Sequence, residues 1–443
     1  MINILIIGSG AREHILAKRL FASKLPKTLY CFGTNYNPGI LPLCKVFTVG
    51  KLTDNKAIVI FAKQQAINLV IIGPELPLAT GLADAFQVAN ISCIGPTQCL
   101  AQIETSKGFT RDLLKRYNIP GSLEYYRFKQ LDGVLTQLQK FGTHYVIKAD
   151  GLMGGKGVKL SGEHLANHQE ALAYCQELLN SQSGFVLEEK LIGEEFSLLS
   201  FVSGSQLIHM PAVQDHKRAF ENDQGPNTGG MGTYSAASHA LPFLSQQDIL
   251  YAQQINEQVA KALQKECQVT YMGILYGSFI KTAQGIKIIE FNARFGDPEV
   301  INLLTLLKTD FLELCLALVN KTLSQLPIEF EKAATVCKYL VPRGYPDQVR
   351  KGLTITIGCL PENVELYYGA IDQQNDKLIM TGSRAVALVS KADSIQQAAT
   401  NIELALSAIH GEYFYRKDIG STKLINQRIA HINQLCHQDY KLL

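Results

Sequence analysis

The sequence predicts a multidomain protein of the α/β and α+β classes, with three folded parts in series. The first observation is length, since 443 residues correspond to about two to four domains of ordinary size. The second is a run of short apolar strands alternating with helices near the N-terminus, which is typical of a doubly wound parallel sheet. The third is a new set of short strands after Pro327, followed by a helix near 394–409, which predicts a small mixed C-terminal domain.

Composition excludes several classes of function. The chain is 47% hydrophobic and 18% charged, as expected of a globular protein with sizeable cores. Its net charge of +3 is too small to indicate a nucleic-acid partner. Apolar runs such as Ile4 to Ile7 fall far short of the ~18 residues of a membrane span, and residues 1–8 lack the pattern of a leader. The ten cysteines are scattered without a C-x-x-C pair, which predicts reduced thiols in a cytoplasmic protein, with neither a zinc site nor a disulfide framework.

The first strands place polar and glycine residues at their carboxyl ends, where ligands of parallel sheets bind. Residues 2–8 form a nearly continuous apolar strand, and Gly8-Ser-Gly10 turns it into a helix that begins near Arg12. The candidate substrate-binding residues at such strand ends are Gly10, Asn37, Gly39 and Glu75. The glycines do not complete a dinucleotide fingerprint, because Glu13 occupies the third small position. A loop for a phosphate or a small substrate is the favoured interpretation, and a tight turn packing helix on sheet is the alternative.

A glycine-rich loop follows the strand that presents Lys148 near its end. Residues 151–157 include four glycines, which let the backbone approach phosphate groups closely, and Lys156 adds positive charge at the tip. The loop is not a Walker A loop, because Gly157 stands where a Ser or Thr would bind magnesium. The pattern predicts a phosphate-binding loop, and a flexible hairpin is the alternative.

Two further stretches offer contacts to a nucleotide. Lys107 lies in the first turn of a predicted helix, where an anion would relieve its repulsion by the helix dipole. Glu188 lies on a predicted strand, which a short linker at 191–193 joins to another strand beginning with Glu194 and Glu195. The linker backbone could pair with a flat base while the carboxylates meet polar groups of a nucleoside. An acidic strand pair facing water is the alternative.

A strand near residue 290 predicts a metal site. Alternation along the strand predicts that Ile286, Ile288, Glu290 and Asn292 share one face. Because an unpaired buried carboxylate is costly, a cation must meet Glu290, and a hard divalent metal would accept oxygens from both polar residues. The alternative is a strand end closed by a salt bridge to Arg294.

Two polar stretches interrupt an otherwise apolar region, at 214–217 and at 223–232. Long glycine-rich loops of this kind often carry function. His216 beside Lys217 invites assignment as a catalytic base. A structural or substrate-orienting role is favoured, because no serine or cysteine nucleophile lies in a recognisable setting nearby.

Five motifs occur in order along the chain: Ile147-Lys-Ala-Asp-Gly151, Gln214-Asp-His-Lys-Arg218, Gly225-Pro-Asn-Thr-Gly-Gly-Met-Gly232, Glu290-Phe-Asn-Ala-Arg-Phe-Gly-Asp-Pro-Glu299 and Tyr415-Arg-Lys-Asp-Ile-Gly420. In these motifs the chain resembles the phosphoribosylamine–glycine ligases, also called glycinamide ribonucleotide synthetases, which are ATP-grasp enzymes of purine synthesis. The resemblance runs from Gly8 to about Gly420. It departs at Ala11, where a second loop glycine is usual, and at Met153-Gly154, which replace two alanines.

The resemblance implies three domains: an N-terminal pre-ATP-grasp domain over 1–102, an ATP-grasp domain over 103–329 with a mobile lid at about 124–193, and a C-terminal domain over 330–443. It implies ATP, glycine and 5-phosphoribosylamine as substrates, joined through a glycyl phosphate, with Mg²⁺ or Mn²⁺ as the metal. Neither a nucleic acid nor a membrane is expected as a partner. A cytoplasmic monomer or weak dimer is expected.

The resemblance also implies roles for individual residues. Those expected to bind ATP are Lys107, Lys148, Gly154, Gly155, Lys156, Gly157, Glu188, Leu191 and Glu195. Those expected to bind the other substrates are Gly10, Arg12, Asn37, Gly39, Glu75, Asp215, Gly229, Gly230, Asp297 and Arg384. Arg294, Lys148 and Asp297 are the expected catalytic residues, and Glu290 and Asn292 the expected metal ligands.

Two rival functions stay open at the level of sequence. One is another ATP-grasp carboxylate–amine ligase or a carboxylase, which would share the phosphate-binding and metal-binding residues. The other is a nucleotide-binding module without turnover, which the presence of Lys148, Glu290, Asn292 and Arg294 argues against.

Overall fold

The computed structural model describes residues 1–154, 157–181 and 184–439. At the end of the last range, residues 438 and 439 are described by their backbone alone. The elements of its N-terminal part are β1 (Ile2–Ile7), α1 (Ala11–Ala22), β2 (Lys27–Gly33), β3 (Val46–Val49), α2 (Asn55–Gln64), β4 (Leu69–Ile72), α3 (Glu75–Ala79), α4 (Leu82–Val88), β5 (Ser92–Ile94) and α5 (Gln98–Thr105). The strands pair in parallel in the order β3-β2-β1-β4-β5, which confirms the doubly wound sheet. Ile4 to Ile7 on the central strand β1 are fully buried, because helices cover both faces of a parallel sheet.

A small antiparallel sheet follows. Its elements and the preceding helix are α6 (Lys107–Arg116), β6 (Tyr125–Phe128), α7 (Val134–Phe141), β7 (Tyr145–Ala149), β8 (Val158–Leu160), α8 (His168–Asn180) and β9 (Phe185–Glu189). The strand order is β6-β9-β7-β8. The sheet and helices α7 and α8 bury their own hydrophobic cluster, separate from the main core. Residues 124–193 are called the lid unit below.

A second antiparallel sheet forms the floor opposite the lid unit. Its region contains β10 (Glu194–Ser203), β11 (Gln206–His209), β12 (Gln214–Asp215), β13 (Arg218–Phe220), β14 (Gln224–Asn227), β15 (Gly232–Ser235), α9 (Gln246–Cys267), β16 (Met272–Thr282) and β17 (Gly285–Asn292). The floor sheet has the order β11-β10-β16-β17, in which β16 and β17 form an antiparallel hairpin that contains the predicted strand near residue 290. The predicted loop at 223–232 is partly ordered, since β14 pairs with β13.

A β-bulge in β17 corrects the predicted orientation of the metal-site strand. Ser278 pairs with Glu290 and the next residue, Phe279, pairs with Ile288, so Ile289 is an extra residue. A bulge shifts the alternation of side chains by one position. Ile288 therefore faces the core, whereas Glu290 and Asn292 face the opposite side, and the prediction of one shared face was wrong.

The C-terminal part contains α10 (Glu299–Leu306), α11 (Phe311–Val319), β18 (Ala334–Pro342), β19 (Leu353–Ile357), β20 (Val364–Tyr368), β21 (Ile371–Gln374), β22 (Lys377–Met380), β23 (Val386–Ala392), α12 (Ile395–Ala405), β24 (Ile409–Gly411), β25 (Tyr413–Phe414) and α13 (Thr422–Asp439). One sheet has the order β12-β15-β18-β23-β20, with β25 on β18. Another has the order β21-β22-β19-β24. Because β12 and β15 precede Pro327 in the chain, the first of these sheets ties the C-terminal part to loops of the central region.

The cysteines differ from the sequence prediction. Cys99 at the start of α5 and Cys267 at the end of α9 form a disulfide across 168 residues of sequence. The expectation of no disulfide was wrong for this pair, because spacing along the chain does not reveal which helices pack together. In the part of the chain that the structure describes, no helix combines the length and apolar character needed to cross a membrane.

Candidate active site

A cavity of about 830 Å³ lies between the lid unit and the floor sheet and extends to loops of the N-terminal and C-terminal parts. Most of the predicted site residues line it: Arg12, Glu75, Lys107, Lys148, Gly154, Gly157, Glu188, Leu191, Glu195, Asp215, Gly229, Glu290, Asn292, Arg294, Asp297 and Arg384. The fold therefore gathers side chains from distant parts of the sequence into one concave site, as ligand-binding sites require.

On the lid side, Lys148 belongs to a buried ion cluster. Its Nζ lies 2.7 Å from Oε2 of Glu188 on the neighbouring strand. Arg111 of α6 holds the two oxygens of Glu188 at 2.7 and 2.8 Å. Burial alone would raise the pKa of Glu188, but Arg111 and Lys148 lower it to about 2. Both oxygens of Glu188 thus bind protein cations, so this carboxylate fixes Lys148 at the cavity wall.

Lys148 also reaches the floor sheet beside the predicted metal ligands. Its Nζ donates to the carbonyl of Ile289 at 3.2 Å, one residue before Glu290. Oε2 of Glu290 lies 2.9 Å from Nζ of Lys107. Burial alone would raise the pKa of Glu290, but Lys107, Lys217 and Lys148 hold it well below its usual range. The carboxylate is therefore ionised and surrounded by lysines, not closed by Arg294.

The donor set of Glu290 and Asn292 fits a hard divalent ion. Asn292 lines the same cavity as Glu290 and brings an amide oxygen to it. Within the described ranges, no group of three or more His, Cys, Asp or Glu could hold a metal by itself. A Mg²⁺-type ion is commonly held by one or two protein oxygens together with phosphates and water, which is what this wall can supply.

Arg294 lies in a separate ion cluster at the N-terminal end of the cavity. Its NH2 lies 2.8 Å from Oε1 of Glu104, and its Nε lies 3.4 Å from Oε2 of Glu75. Oε2 of Glu104 accepts a hydrogen bond from the backbone N–H of Ala293 at 2.7 Å. The Nε–H of Arg294 is buried and has no hydrogen-bond acceptor in the described chain. Arg294 is thus held by Glu104 and, at longer range, by Glu75.

Arg384 ties the C-terminal part to two loops on the cavity wall. Its NH1 donates to the carbonyls of Gly229, Gly230 and Asp297 at 2.6, 3.0 and 2.6 Å. Its NH2 lies 3.2 Å from Oδ2 of Asp297. Oδ1 of Asp297 accepts from the hydroxyl of Tyr339 at 2.5 Å. Arg384 therefore holds the loop at 229–230 against the turn at 297.

A pair of carboxyl groups lies between these clusters. Oδ1 of Asp215 is buried and accepts no hydrogen bond from the described residues. Oε1 of Glu299 accepts from the hydroxyl of Tyr276 at 2.7 Å, and that hydroxyl accepts from Ser197 at 2.7 Å. Burial, and then the nearby Glu299, raise the pKa of Asp215. A buried carboxylate oxygen without a hydrogen-bond donor is an environment that an ammonium group would stabilise.

The linker between the two sheets forms another wall. It comprises residues 190–193, and Leu191 lines the cavity. Glu195, just beyond the linker, lies with Oε2 3.1 Å from Nζ of Lys217. Although burial would lower the pKa of Lys217, Glu195 and Glu290 raise it. This wall offers backbone groups, a carboxylate and a charged lysine side by side.

Some predicted residues lie elsewhere. Those outside the cavity wall are Gly10, Asn37, Gly39 and Gly230. Gly155 and Lys156 lie outside the described residues. Asn37 is fully buried and donates to the carbonyls of Ser9 and Tyr368 at 2.9 and 2.7 Å, which links the N-terminal and C-terminal parts. Gly39 packs so closely on His14 that a Cβ would lie 1.9 Å from the ring. These contacts account for both residue types without a ligand.

Several residues that shape the site were not predicted from the sequence. Arg111 lies four residues after Lys107 on the same face of α6, and that spacing could have revealed it. Glu104 and Arg428 act through contacts more than 180 residues away in sequence, which no local pattern encodes. His216 is 1% exposed and does not line the cavity. Burial of its ring lowers the pKa of His216 to about 3, which agrees with a structural role.

Comparisons with known proteins agree with this fold. Family models described as phosphoribosylglycinamide synthetase match along the chain: the N domain at residues 2–104, the ATP-grasp (A) domain at 105–300 and the C domain at 335–422. The phosphoribosylamine–glycine ligase of Methanocaldococcus jannaschii is 46% identical over 443 residues, covering 98% of this chain and 99% of that protein.

Solved structures show the same architecture. The crystal structure of phosphoribosylamine–glycine ligase from Thermotoga maritima has a TM-score of 0.79 and 26% identity, and covers 94% of this chain and 100% of its own. A biotin carboxylase from Campylobacter jejuni has a TM-score of 0.75 and 14% identity over 98% of both chains, which shows the fold alone. The chain therefore belongs to the phosphoribosylglycinamide synthetase family, with its ATP-grasp domain in the centre.

Proposed function

We propose that the protein joins glycine to 5-phosphoribosylamine at the expense of ATP, giving glycinamide ribonucleotide, ADP and phosphate in purine synthesis. Membership of the family supports this reaction. The observation that carries it is the meeting of Lys148, from the lid unit, with Glu290 and its partner Lys107 in one cavity. Phosphoryl transfer between two anions needs such a concentration of cations.

The ATP side of the cavity is assigned to the lid unit and linker. Lys107 and Lys148 neutralise phosphate oxygens, and the loop from Gly154 to Gly157 covers them. Glu188 acts through Lys148, which it holds in place at 2.7 Å. The backbone of Leu191 and the carboxylate of Glu195 hold the nucleoside. Glu290 and Asn292 would hold Mg²⁺ or Mn²⁺, which when bound neutralises phosphate oxygens and orients them.

Glycine is assigned to the carboxyl pair and the adjacent loop. Its ammonium group would meet the unpartnered Oδ1 of Asp215, with Glu299 and Asp297 close by. Gly229 lines the cavity on that side, and a Cβ at Gly230 would lie 2.8 Å from Oδ1 of Asp215. Arg294 lines the cavity and would meet the transferred phosphoryl group.

5-Phosphoribosylamine is assigned to the N-terminal end of the cavity, where Arg12 and Glu75 lie on the wall. Arg12 donates to the carbonyl of Phe295 at 3.1 Å, so it also connects this end with the turn after β17. Gly10, Asn37 and Gly39 shape the loops behind it. Arg384 orients the loop at 229–230 through its three carbonyl contacts.

The chemistry proceeds in two displacements. A glycine carboxylate oxygen attacks the γ-phosphorus, forming an O–P bond while the bond to the ADP oxygen breaks, and Lys148 and Arg294 stabilise the charge. The amine of phosphoribosylamine then attacks the acyl carbon of glycyl phosphate. A C–N bond forms, the amine loses a proton, and phosphate leaves with the former carboxylate oxygen. Closure of the lid unit would exclude water, which would otherwise hydrolyse the acyl phosphate.

We also propose a domain organisation, a cellular location and an oligomeric state for the protein. The chain divides into domains at 1–102, 103–329 and 330–443, with the lid at 124–193. It acts in the cytoplasm as a monomer or weak dimer.

An ADP-release assay tests the function. Release should require both glycine and 5-phosphoribosylamine, and mass spectrometry should find glycinamide ribonucleotide in an amount equal to ADP. ADP release that proceeds with bicarbonate or formate in place of glycine would favour a different ATP-grasp ligase or a carboxylase. ADP binding without turnover of any of these substrates would favour a nucleotide-binding module.

A further inference from the structure

The last helix among the described residues, α13, presents a basic side chain to the cavity. Arg428 lies on the cavity wall, and His431 follows it by one turn on the same face of the helix. Leu424 and Ile432 on that side are only 5% and 7% exposed, so the helix is docked on the protein. None of the roles proposed above uses this helix.

The carboxylate of Glu194 contacts both Arg428 and His431. Its Oε1 lies 2.6 Å from Nδ1 of His431, and its Oε2 lies 3.2 Å from Nε of Arg428. Glu194 is 4% exposed, and a carboxylate so deeply buried is strongly destabilising without cationic partners. The orientation of Glu194 is therefore determined by α13, which lies more than 230 residues further along the sequence.

Arg428 also holds a second cavity residue, Asp223, through its NH2 group. The other oxygen of Asp223 lies 2.8 Å from NH1 of Arg416, a fully buried arginine. Arg416 in turn pairs with Asp418, which accepts from the backbone N–H of Asn222 at 2.9 Å. Arg428 thus joins the start of β10 to the loop around 222–223, which also borders the cavity.

Glu194 is the residue at which the linker from the lid unit enters the floor sheet. The preceding Gly193 lies so close to the backbone that a Cβ would be 1.9 Å from the carbonyl oxygen of Lys281. The following residue, Glu195, points into the cavity and pairs with Lys217. A displacement of Glu194 would therefore move both the linker and Glu195.

We propose that Arg428 is a positioning residue for the nucleotide: with His431 it fixes Glu194, and so sets the linker backbone at 190–193 and the carboxylate of Glu195. The inference rests on the proposed function, in which the linker and Glu195 hold the nucleoside. It assigns to α13 a contribution to ATP affinity, although Arg428 itself need not touch ATP.

The test is the affinity of the full-length protein for ADP, measured by titration calorimetry without glycine or 5-phosphoribosylamine. Arg428→Met keeps the apolar stem and removes the charge, and should weaken ADP binding about tenfold, because a misplaced binding wall loses oriented contacts. Arg428→Lys should recover part of this loss, and the milder His431→Gln should weaken binding less than Arg428→Met. Arg350→Met is the matched control, since Arg350 is 67% exposed in an ion pair with Glu412 and should leave ADP affinity unchanged.

Steady-state kinetics separate positioning from a general loss of structure. Arg428→Met should raise the KM for ATP while the KM for glycine and kcat stay near wild type. Wild-type ADP affinity in a folded Arg428→Met variant would overturn the proposal. An equal rise in all three KM values, with no recovery in Arg428→Lys, would also overturn it, because that pattern marks a structural role alone. A ligation defect in wild-type protein with normal ADP affinity would instead count against the proposed reaction.

Discussion

The lid unit and the rest of the molecule are stabilised in different ways, although both supply residues to the cavity. The lid unit buries a cluster of its own, which includes Val134, Leu138, Ile147 and Phe185. The main cluster runs through the N-terminal, floor and C-terminal sheets without a described lid residue. A hydrophobic core thus unites everything except the lid unit.

The junction between the two regions is polar. Arg111 of α6 reaches across to Glu188, and Asp150 of the lid unit accepts hydrogen bonds from Ser106 and the backbone of Gly108 at 2.8 and 3.1 Å. The hydrophobic clusters of the two regions are separate. A shift of the lid unit would therefore keep both clusters buried. Lys148, proposed to bind phosphate, therefore lies on a unit with its own core, whereas Glu290, the proposed metal ligand, lies on the floor sheet within the main body.

The largest expected effect on activity is that of replacing Glu290 on the floor sheet. Glu290→Ala should lower kcat by about 10³-fold, because it removes the charged oxygen donor to the metal. The fold should stay intact, since Glu290 is on the cavity wall and not in a core. ADP release and thermal unfolding measure the two quantities, with Glu329→Ala, a partner of Lys308 at the surface, as the control. Turnover like that of the wild type would refute the metal assignment.

The polar junction should make stability depend on acid pH. The folded pKa of Glu188 is about 2, below its ordinary 4.5, so its ion pairs stabilise the fold fully above about pH 4.5 and are lost as the pH falls through about 2. The contribution is on the order of 3 kcal/mol. In urea unfolding, the stability difference between wild type and Glu188→Gln should shrink as the pH falls from about 4.5 to about 2. A difference that is constant over this range would show that the ion cluster does not join the two regions as described.

On the lid side of the cavity, Lys148 should contribute both to ATP binding and to phosphoryl transfer. Lys148→Ala should weaken ATP binding and slow phosphoryl transfer, with a combined loss of about 10²-fold in kcat/KM for ATP. Lys140→Ala, on the surface of the same unit, is the matched control. If Lys148→Ala changed only the affinity for glycine, its assignment to the phosphates would fail.

The smallest expected effect is on the KM for ATP, and it distinguishes the glycine-rich loop at Gly154 from the rest of the lid unit. Gly154 and Gly162 both have positive φ, of 56° and 77°, with open space where a Cβ would lie. Alanine at either position should cost about 1 kcal/mol in stability. Only Gly154 lines the cavity, so Gly154→Ala should raise the KM for ATP several-fold while Gly162→Ala should not. Equal kinetics for the two variants would remove the loop from the site.

Local pattern was sufficient for much of the fold and for the main motifs. Alternation of apolar runs with turns predicted β1, β2, β4 and β5 and the strand that carries Glu290, because strand formation there is encoded within a few residues, whereas the short β3 was not predicted. The strand-end position of Lys148 and the closeness of Glu290 followed from the same pattern and the family resemblance.

Features that depend on distant contacts were not predictable from single stretches. The bulge at Ile289 arises from pairing with Ser278 and Phe279, and it reversed the expected face of the strand. The partners of Arg111 lie 77 residues or more away, and the Cys99–Cys267 pair is 168 residues apart. Such contacts depend on which elements pack together, and this information is not carried by spacing.

The central claim is that the cavity transfers the γ-phosphoryl group of ATP to the carboxylate of glycine. The most direct measurement uses glycine labelled with ¹⁸O in both carboxylate oxygens, with ATP and 5-phosphoribosylamine, and mass spectrometry of the released phosphate. One labelled oxygen should appear in each phosphate, because the acyl C–O bond breaks when the amine attacks. Unlabelled phosphate, with both labels retained by glycine, would contradict the account.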